Sequence, residues 1–201
     1  MNSAFYLNNR QQLMEKIGSE SVAIFFAAPE ATYSHDVHYP YRQDSNLHYL
    51  TGFPEPEAVA ILAPGHEHPF TLFVRPRDLD KEIWNGFRAG VEGAQSIYGA
   101  DAAYTIDELA DYLPTYLADR KHLYFKFGAS TEVDAEVFKA LNAVRGQIRN
   151  GVKAPQHLHD PGMFLNEMRL FKQPYEIEMM RKSATISAEA HIELMKALKP
   201  G

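Results

Sequence analysis

The sequence predicts an α/β fold in which helices flank a mixed β-sheet. Three observations support this prediction: short continuous apolar runs typical of buried strands, segments with apolar residues at helical spacing, and the alternation of these two kinds of segment along the chain. With 201 residues, the chain is long enough for one domain, or for one domain and the start of another.

The first part of the chain combines one helix with three strands. Residues 5–17 place apolar side chains near one helical face, and residues 21–27 form an apolar run that stops before Pro29, as a buried strand would. Residues 57–63 and 70–76 flank a Pro-Gly turn signal. We therefore predict that these two segments form a hairpin.

Sequence patterns in the middle of the chain predict two further helices and another strand. Thr105 and Glu108 have the spacing of a capping box, which predicts a helix that starts there and that Pro114 kinks or ends. Residues 123–127 are a strand candidate. Residues 133–144 repeat apolar side chains at helical spacing, which indicates a helix after that strand.

The last segment has a different character. After a predicted loop at PQHLHDPG (155–162), a helix should begin near Pro174, with an apolar stripe about seven turns long. Such a stripe needs other polypeptide to cover it. We therefore expect residues 1–172 to form one domain and residues 173–201 to begin a second domain that is missing from this sequence. The alternative is a C-terminal helix that packs on the first domain or pairs with its copy in a dimer.

Composition excludes several classes of protein. The net charge of −6, without a basic run, argues against nucleic-acid phosphates as the main ligand. No apolar stretch is long enough to predict a membrane span. The absence of cysteine excludes disulfides and thiolate catalysis and agrees with a cytoplasmic protein. Small molecules, peptides or other proteins are the expected partners.

Nine histidines raise the question of a metal site. They include three short clusters at residues 35–38, 66–68 and 157–160. In extended backbone, side chains two residues apart point the same way, so an HxH pair could offer two imidazoles to a metal ion. The alternative for each cluster is an ordinary solvated surface, particularly at 66–68, which lies at the tip of the predicted hairpin.

The one tryptophan of the chain, Trp84, lies in the stretch EIWNGFRAG (82–90). A single tryptophan is more often a core residue than a ligand contact. Here the neighbouring charged residues and glycines are poor core material. They favour an exposed indole that contacts a partner or a substrate. The motifs of serine nucleophiles and of phosphate-binding loops are both missing from the sequence.

Three separated motifs show a family resemblance: YPYRQDSNLHYLTGFPEPEAVAIL (39–62), EIWNGFRAG (82–90) and NEMRLFKQPYEIEMMRKSATISAEAH (166–191). Together they resemble the amino-terminal half of the Xaa-Pro aminopeptidases, or aminopeptidases P. These enzymes belong to the pita-bread metallopeptidases, with prolidase and creatinase. The resemblance implies an α/β domain of the creatinase/aminopeptidase P amino-terminal type, followed by the first helix of a pita-bread domain.

The resemblance also implies an activity for the parent protein, the removal of an N-terminal residue that precedes proline. In this family two divalent metal ions, usually manganese, lie in the pita-bread domain. Residues 1–201 should therefore hold no metal ion and no catalytic residue, and should be inactive alone. The implied partners are peptides with proline at the second position and further copies of the chain, as in a homo-oligomer.

The resemblance assigns three residues to substrate binding. Trp84 matches a tryptophan that reaches the active site of a neighbouring subunit, and Asp36 and Arg149 match charged positions that face the catalytic cleft. For the two charged residues the alternative is an ordinary surface ion pair. Arg42 and Asp44 are predicted to be structural, as a buried pair beside tyrosines. Two other functions stay open: a protein-binding module without catalysis, and the amino-terminal domain of a prolidase.

Overall fold

The computed structural model describes residues 3–199. The chain divides into two compact units, one that extends to Leu165 and one that begins at Asn166. The predicted domain boundary between residues 172 and 173 stays a prediction.

Helices and strands alternate along the described part of the chain. The α-helices are α1 Ser3–Ile17, α2 Ser45–Thr51, α3 Leu79–Asn85, α4 Gly90–Ser96, α5 Leu109–Leu117, α6 Thr131–Arg145, α7 Gly162–Leu170 and α8 Pro174–Ala197. The strands are β1 Ser21–Phe26, β2 Thr32–Ser34, β3 Val37–His38, β4 Val59–Leu62, β5 Phe70–Val74, β6 Ala102–Thr105, β7 His122–Tyr124 and β8 His157–His159. Short 3₁₀ helices cover Ile106–Glu108 and Ile148–Asn150.

Six strands form one mixed sheet in the order β6-β5-β4-β1-β7-β8. The central pairs β1–β4 and β4–β5 are antiparallel, whereas β5–β6, β1–β7 and β7–β8 are parallel. Strands β2 and β3 form a separate two-stranded hairpin. The predicted fold class, a mixed sheet flanked by helices, is confirmed.

The main core lies between one face of this sheet and helices α5 and α6. Alternate residues of β1 and β4 point into it, since successive side chains of a strand face opposite sides. The core side chains include Val22, Ile24, Val59, Ile61, Leu113, Leu117, Val137 and Leu141. The continuous apolar run of β1 is explained by this arrangement, because Ala23 and Phe25 are buried on the opposite face.

Helix α1 is fastened to α2 by buried polar side chains. The side-chain amide of Asn9 donates to the carbonyl oxygen of Tyr49 at 2.9 Å, and the guanidinium of Arg10 donates to that of Leu50 at 3.0 Å. Arg10 also lies 4.0 Å from the ring centre of Phe70 in β5, a cation–π contact. Burial lowers the pKa of Arg10 to about 10, so the guanidinium stays charged at neutral pH.

Most predicted elements are confirmed. The run at 21–27 forms β1, and the predicted hairpin forms from β4 and β5. The capping box is present, with the amide of Thr105 donating to Glu108 at 2.8 Å. Pro114 does not end the helix, because α5 continues to Leu117 and the amide of Ala118 donates to the Pro114 carbonyl.

The predicted loop at PQHLHDPG is partly wrong, because residues His157–His159 form strand β8. Leu158 pairs with Leu123 of β7, which lies thirty-five positions earlier in the sequence. A strand of three residues between prolines has little local pattern of its own. Its pairing therefore depends on a distant partner that periodicity does not show.

The second unit contains the predicted long helix. Pro174 occupies the first turn of α8, and the backbone amide of Gln173 donates a capping hydrogen bond to the Glu176 carboxylate at 2.9 Å. No side chain of α8 in the described part of the chain is buried, although it includes large apolar residues such as Ile177, Met180 and Ile192. Within residues 3–199, no helix combines the length and apolar content needed to cross a bilayer.

Candidate functional site

The predicted substrate residue Trp84 lies in an exposed apolar surface on helix α3. We define the α3 surface as Leu79, Ile83, Trp84 and Phe87, whose exposed fractions range from 63 to 86%. Trp84 is the most exposed of the four, so the prediction of a surface indole is confirmed. Large apolar side chains grouped on one short segment are typical of a surface that contacts another molecule.

Local contacts fix the backbone beneath the α3 surface. The helix begins at Asp78, whose carboxylate accepts from the Lys81 amide at 3.1 Å. The Arg77 guanidinium donates to both carboxylate oxygens of Glu82 at 3.1 and 3.3 Å, and it lies 5.4 Å from the Phe87 ring centre. Gly86 then leaves the helix with a φ of +82°, a conformation that favours glycine.

The end of this segment is anchored by the carboxylate of Glu55. The amide of Ala89 donates to Glu55 at 2.7 Å, and the Arg75 guanidinium lies 3.5 Å from the other oxygen of the same carboxylate. Arg88 is also buried, and its Nε has no hydrogen-bond partner in the described part of the chain. The apolar side chains of α3 therefore project from a segment that is held by charged contacts on both sides.

The second predicted residue, Asp36, lies in the turn between β2 and β3. The preceding residue, His35, has a φ of +47°, which marks a tight turn. The rings of Tyr33 and Tyr39 pack edge to face with centres 5.1 Å apart, on either side of this hairpin. Among the residues that the structure describes, Asp36 forms no ion pair.

The third predicted residue, Arg149, lies in the 3₁₀ helix Ile148–Asn150 and is exposed. Like Asp36, it forms no ion pair with another described side chain. Trp84, Asp36 and Arg149 thus lie on three separate elements. The structure shows no hydrogen bond that joins them, and their common role at a substrate stays a prediction.

Residues 39–58 form a segment rich in prolines and aromatics, and hydrogen bonds of Gln43 and Tyr41 stabilise it. The side-chain oxygen of Gln43 accepts from the amides of Ala28 and Asp44 at 3.0 and 2.8 Å, and its nitrogen donates to the Glu55 carbonyl at 2.7 Å. The Tyr41 hydroxyl lies 2.8 Å from the Gln43 oxygen. Burial raises the pKa of Tyr41 to about 12.

The prediction that Arg42 and Asp44 form a buried pair is wrong. Asp44 is the N-cap of α2, and its carboxylate accepts from the amides of Asn46 and Leu47, both at 2.9 Å. Arg42 is exposed. Asp44 is therefore structural, as predicted, but it binds backbone amides because it directly precedes a helix.

A cleft of about 510 Å³ lies beside the carboxyl end of β1, and sequence reasoning did not identify it. Apolar side chains such as Val59, Leu109 and Val133 line it together with the carboxylates of Glu30 and Glu136. Burial raises the pKa of Glu136. The cleft combines residues from five or more separate segments, so no local motif could have revealed it.

The three histidine clusters have different surroundings. Residues 35–38 are exposed in the β2–β3 hairpin. In the second cluster, the Nδ1 of His66 accepts from the amide of His68, and its ring packs on Tyr116. In the third, the His159 ring is hydrogen-bonded to the His122 ring across the β7–β8 pair. Among residues 3–199, no group of three or more histidines or carboxylates is arranged to hold a metal ion.

Comparison with known proteins identifies the family. The sequence model described as "Aminopeptidase P, N-terminal domain" matches residues 6–124. The Xaa-Pro aminopeptidase of Escherichia coli K12 is 40% identical over 199 residues, which are 98% of this chain and 45% of that protein. Xaa-Pro aminopeptidase 3 of Homo sapiens is 30% identical, over 94% of this chain and 39% of that protein.

Comparison of structures agrees with these sequence matches. The structure of Pseudomonas aeruginosa aminopeptidase PepP superimposes with a TM-score of 0.95 and 40% identity, over all of this chain and 46% of that one. This chain therefore spans about half the length of the relatives that it matches. From the extent of the family match and the shared fold, we conclude that this chain belongs to the aminopeptidase P family and contains its amino-terminal domain.

Proposed function

We propose that this chain serves as the amino-terminal domain of a Xaa-Pro aminopeptidase, where it shapes substrate access and contributes to contacts between subunits. The observation on which the proposal rests is the α3 surface, with four large apolar side chains in solvent. Such a surface costs solubility unless another molecule covers it. In a homo-oligomer, a neighbouring subunit would cover it.

The bond-breaking step is proposed to occur outside this chain. The relatives are about twice as long as this chain, and the unmatched half provides the space for a catalytic domain. Two divalent metal ions, proposed to be manganese, would supply Lewis-acid chemistry there. On this proposal the present chain is inactive alone, and α8 is the first helix of that second domain.

Proline at the second position makes recognition by shape necessary. Its nitrogen bears no hydrogen to donate, and its ring fixes φ, so the substrate offers a rigid apolar face rather than a backbone donor. An indole provides a flat apolar surface that packs well on such a ring. Trp84 is exposed on a helix whose base is fixed by the Arg77–Glu82 contact, so it is suited to this task.

Asp36 and Arg149 have a supporting role in the proposal. Both are exposed charges without an ion-pair partner in the described part of the chain, so they are available to groups from elsewhere. We propose that they position the roof of the catalytic cleft through a charged network. A cytoplasmic location is also part of the proposal, supported by a sequence without cysteine.

The experiment is a comparison of Trp84→Ala with Ile148→Ala in the enzyme that includes its catalytic domain. Ile148 is a matched control, because it is also an exposed large apolar residue, on a different element. We expect Trp84→Ala to lower kcat/KM for Xaa-Pro peptides by on the order of tenfold, as expected for the loss of one good packing contact. The control should leave kcat/KM unchanged.

The assembly of subunits is measured separately from turnover. Ile83→Glu places a charge on the α3 surface and should weaken the oligomer in analytical ultracentrifugation, whereas Ile148→Glu should not. Unchanged turnover and unchanged assembly in the α3 variants would refute both roles. Absence of Xaa-Pro hydrolysis in the full protein with manganese would favour a binding module, and activity restricted to dipeptides would favour a prolidase.

A further inference from the structure

Strands β7 and β8 bring three histidines to the same face of the sheet. His122 is opposite His157 in the parallel register, and Tyr124 is opposite His159. Residues two apart on a strand share a face, so all four rings lie on one side. The Nδ1 of His122 and the Nε2 of His159 are hydrogen-bonded at 3.0 Å, so one of the two nitrogens carries the shared proton in the metal-free chain.

Two neighbouring rings pack on this pair. The ring of Tyr124, which is buried, stacks on His159 with centres 4.7 Å apart and 22° between planes. The ring of His157 stacks on His122 with centres 5.0 Å apart and 24° between planes. The buried ring of Tyr124 therefore restrains His159, whereas the exposed ring of His157 only lies against His122.

We infer that His122 and His159 form a binding site for a divalent transition metal ion of the zinc, nickel or copper class. Imidazole nitrogen is a preferred ligand of these ions. In a tetrahedral site with ordinary zinc–nitrogen bonds, two ligand nitrogens lie about 3.3 Å apart. The observed separation of 3.0 Å is within a few tenths of an ångström of that value.

The site has two protein ligands, and water molecules complete the coordination. This accords with the finding that no larger group of potential ligands exists among residues 3–199. Binding requires both facing nitrogens to be unprotonated, so the proton between them moves to a remote ring nitrogen or to solvent.

A metal ion at this position would join β8 to β7. Strand β8 has three residues and lies at the end of the sheet order, where it pairs with β7 alone among the described strands. The two ligands are thirty-seven positions apart in the sequence. A bridge between them would stabilise the folded chain because the unfolded chain does not hold the two rings together.

The histidines at the hairpin tip provide a matched comparison. His66 and His68 also form an HxH pair, but the Nδ1 of His66 already accepts a backbone hydrogen bond, and its ring lies 4.5 Å from that of Tyr116. His157 is a second control, since it lies beside the pair but its ring is stacked rather than facing. The sequence contains no cysteine that could compete for the metal ion.

The test is calorimetric titration of the chain with zinc chloride and with nickel chloride at neutral pH, together with thermal melting. We expect one ion to bind and to raise the melting temperature. His122→Gln and His159→Gln should each weaken binding by on the order of tenfold or more, because one of two ligands is lost. His157→Gln and His66→Gln should retain the affinity of the original chain.

Several results would overturn the inference. These are the absence of binding to the original chain, affinity unchanged in His122→Gln and His159→Gln, or an equal loss in the two control variants. Circular dichroism would show whether each variant folds. The electron paramagnetic resonance spectrum of bound Cu²⁺ tests the site without any variant. We expect the spectrum to show coupling to two imidazole nitrogens. A spectrum without nitrogen coupling would contradict the assignment.

Discussion

Two aromatic segments of this chain have opposite surroundings, residues 39–58 and residues 77–88. In the first, Phe53 is fully buried and packs edge to face on Tyr98. The Tyr41 hydroxyl of the same segment donates a hydrogen bond to the side-chain oxygen of Gln43. In the second, Trp84 is in solvent. Both segments are fixed by charged and polar contacts. The first segment therefore buries aromatic rings in the fold, whereas the second leaves its tryptophan exposed to solvent.

The largest expected effect separates the two segments by stability. Phe53→Ala should lower the free energy of unfolding by about 3 to 5 kcal/mol, because it removes a buried ring and leaves a cavity. Trp84→Ala should change it by less than about 0.5 kcal/mol, since an exposed ring loses little packing. Urea denaturation of both variants gives the two values. Similar losses would mean that the second segment also stabilises the fold.

An intermediate effect is expected at the helix caps. Asp44→Ala removes an acceptor of two backbone amides at the start of α2 and should cost about 1 kcal/mol of stability. Asp78→Ala removes an acceptor of a single amide at the exposed start of α3 and should cost less. Urea denaturation of the two variants tests the order. The reverse order would contradict the view that the first segment has the structural role.

The smallest effect at neutral pH concerns the Tyr41 hydroxyl. Its pKa is raised from 10.0 to about 12, first by burial and then by the nearby carboxylate of Glu30. The unfolded chain therefore loses this proton before the folded chain does. The contribution to stability is complete below pH 10 and declines as the pH rises from 10 towards 12.

Tyr41→Phe should make the loss of stability over that pH range shallower. It should not abolish the loss, because burial also raises the pKa of Tyr98 and Tyr116. Tyr39→Phe is the matched control, since Tyr39 is exposed. Chemical denaturation at several pH values gives the slopes, and an equal change in both variants would contradict a special role for the Tyr41 hydroxyl.

The sequence predicted those elements whose signal is local. The buried run at β1, the Pro-Gly turn between β4 and β5, the capping box at Thr105 and the proline at the start of α8 all act through neighbours a few residues away. Strand β8 and the His122–His159 pair depend on residues that are distant in the sequence. Single-sequence periodicity does not contain that information.

The candidate site was predictable in part, for similar reasons. The setting of Trp84 among polar residues and glycines indicated exposure, and the structure confirms it. The prediction of an Arg42–Asp44 pair was wrong because it relied on opposite charge alone. The Asp44 carboxylate instead accepts from backbone amides at the start of helix α2. The roles proposed for Trp84, Asp36 and Arg149 at a substrate stay predictions.

The exposed indole has a practical consequence for spectroscopy. The chain contains one tryptophan, so its tryptophan fluorescence, excited selectively on the long-wavelength side of tyrosine absorption, comes from a single position on helix α3. In water such an indole emits at long wavelength, and transfer to an apolar environment shifts the emission to the blue. Docking of any molecule on this part of the protein would therefore be visible without a label, whereas unfolding would change the emission maximum little.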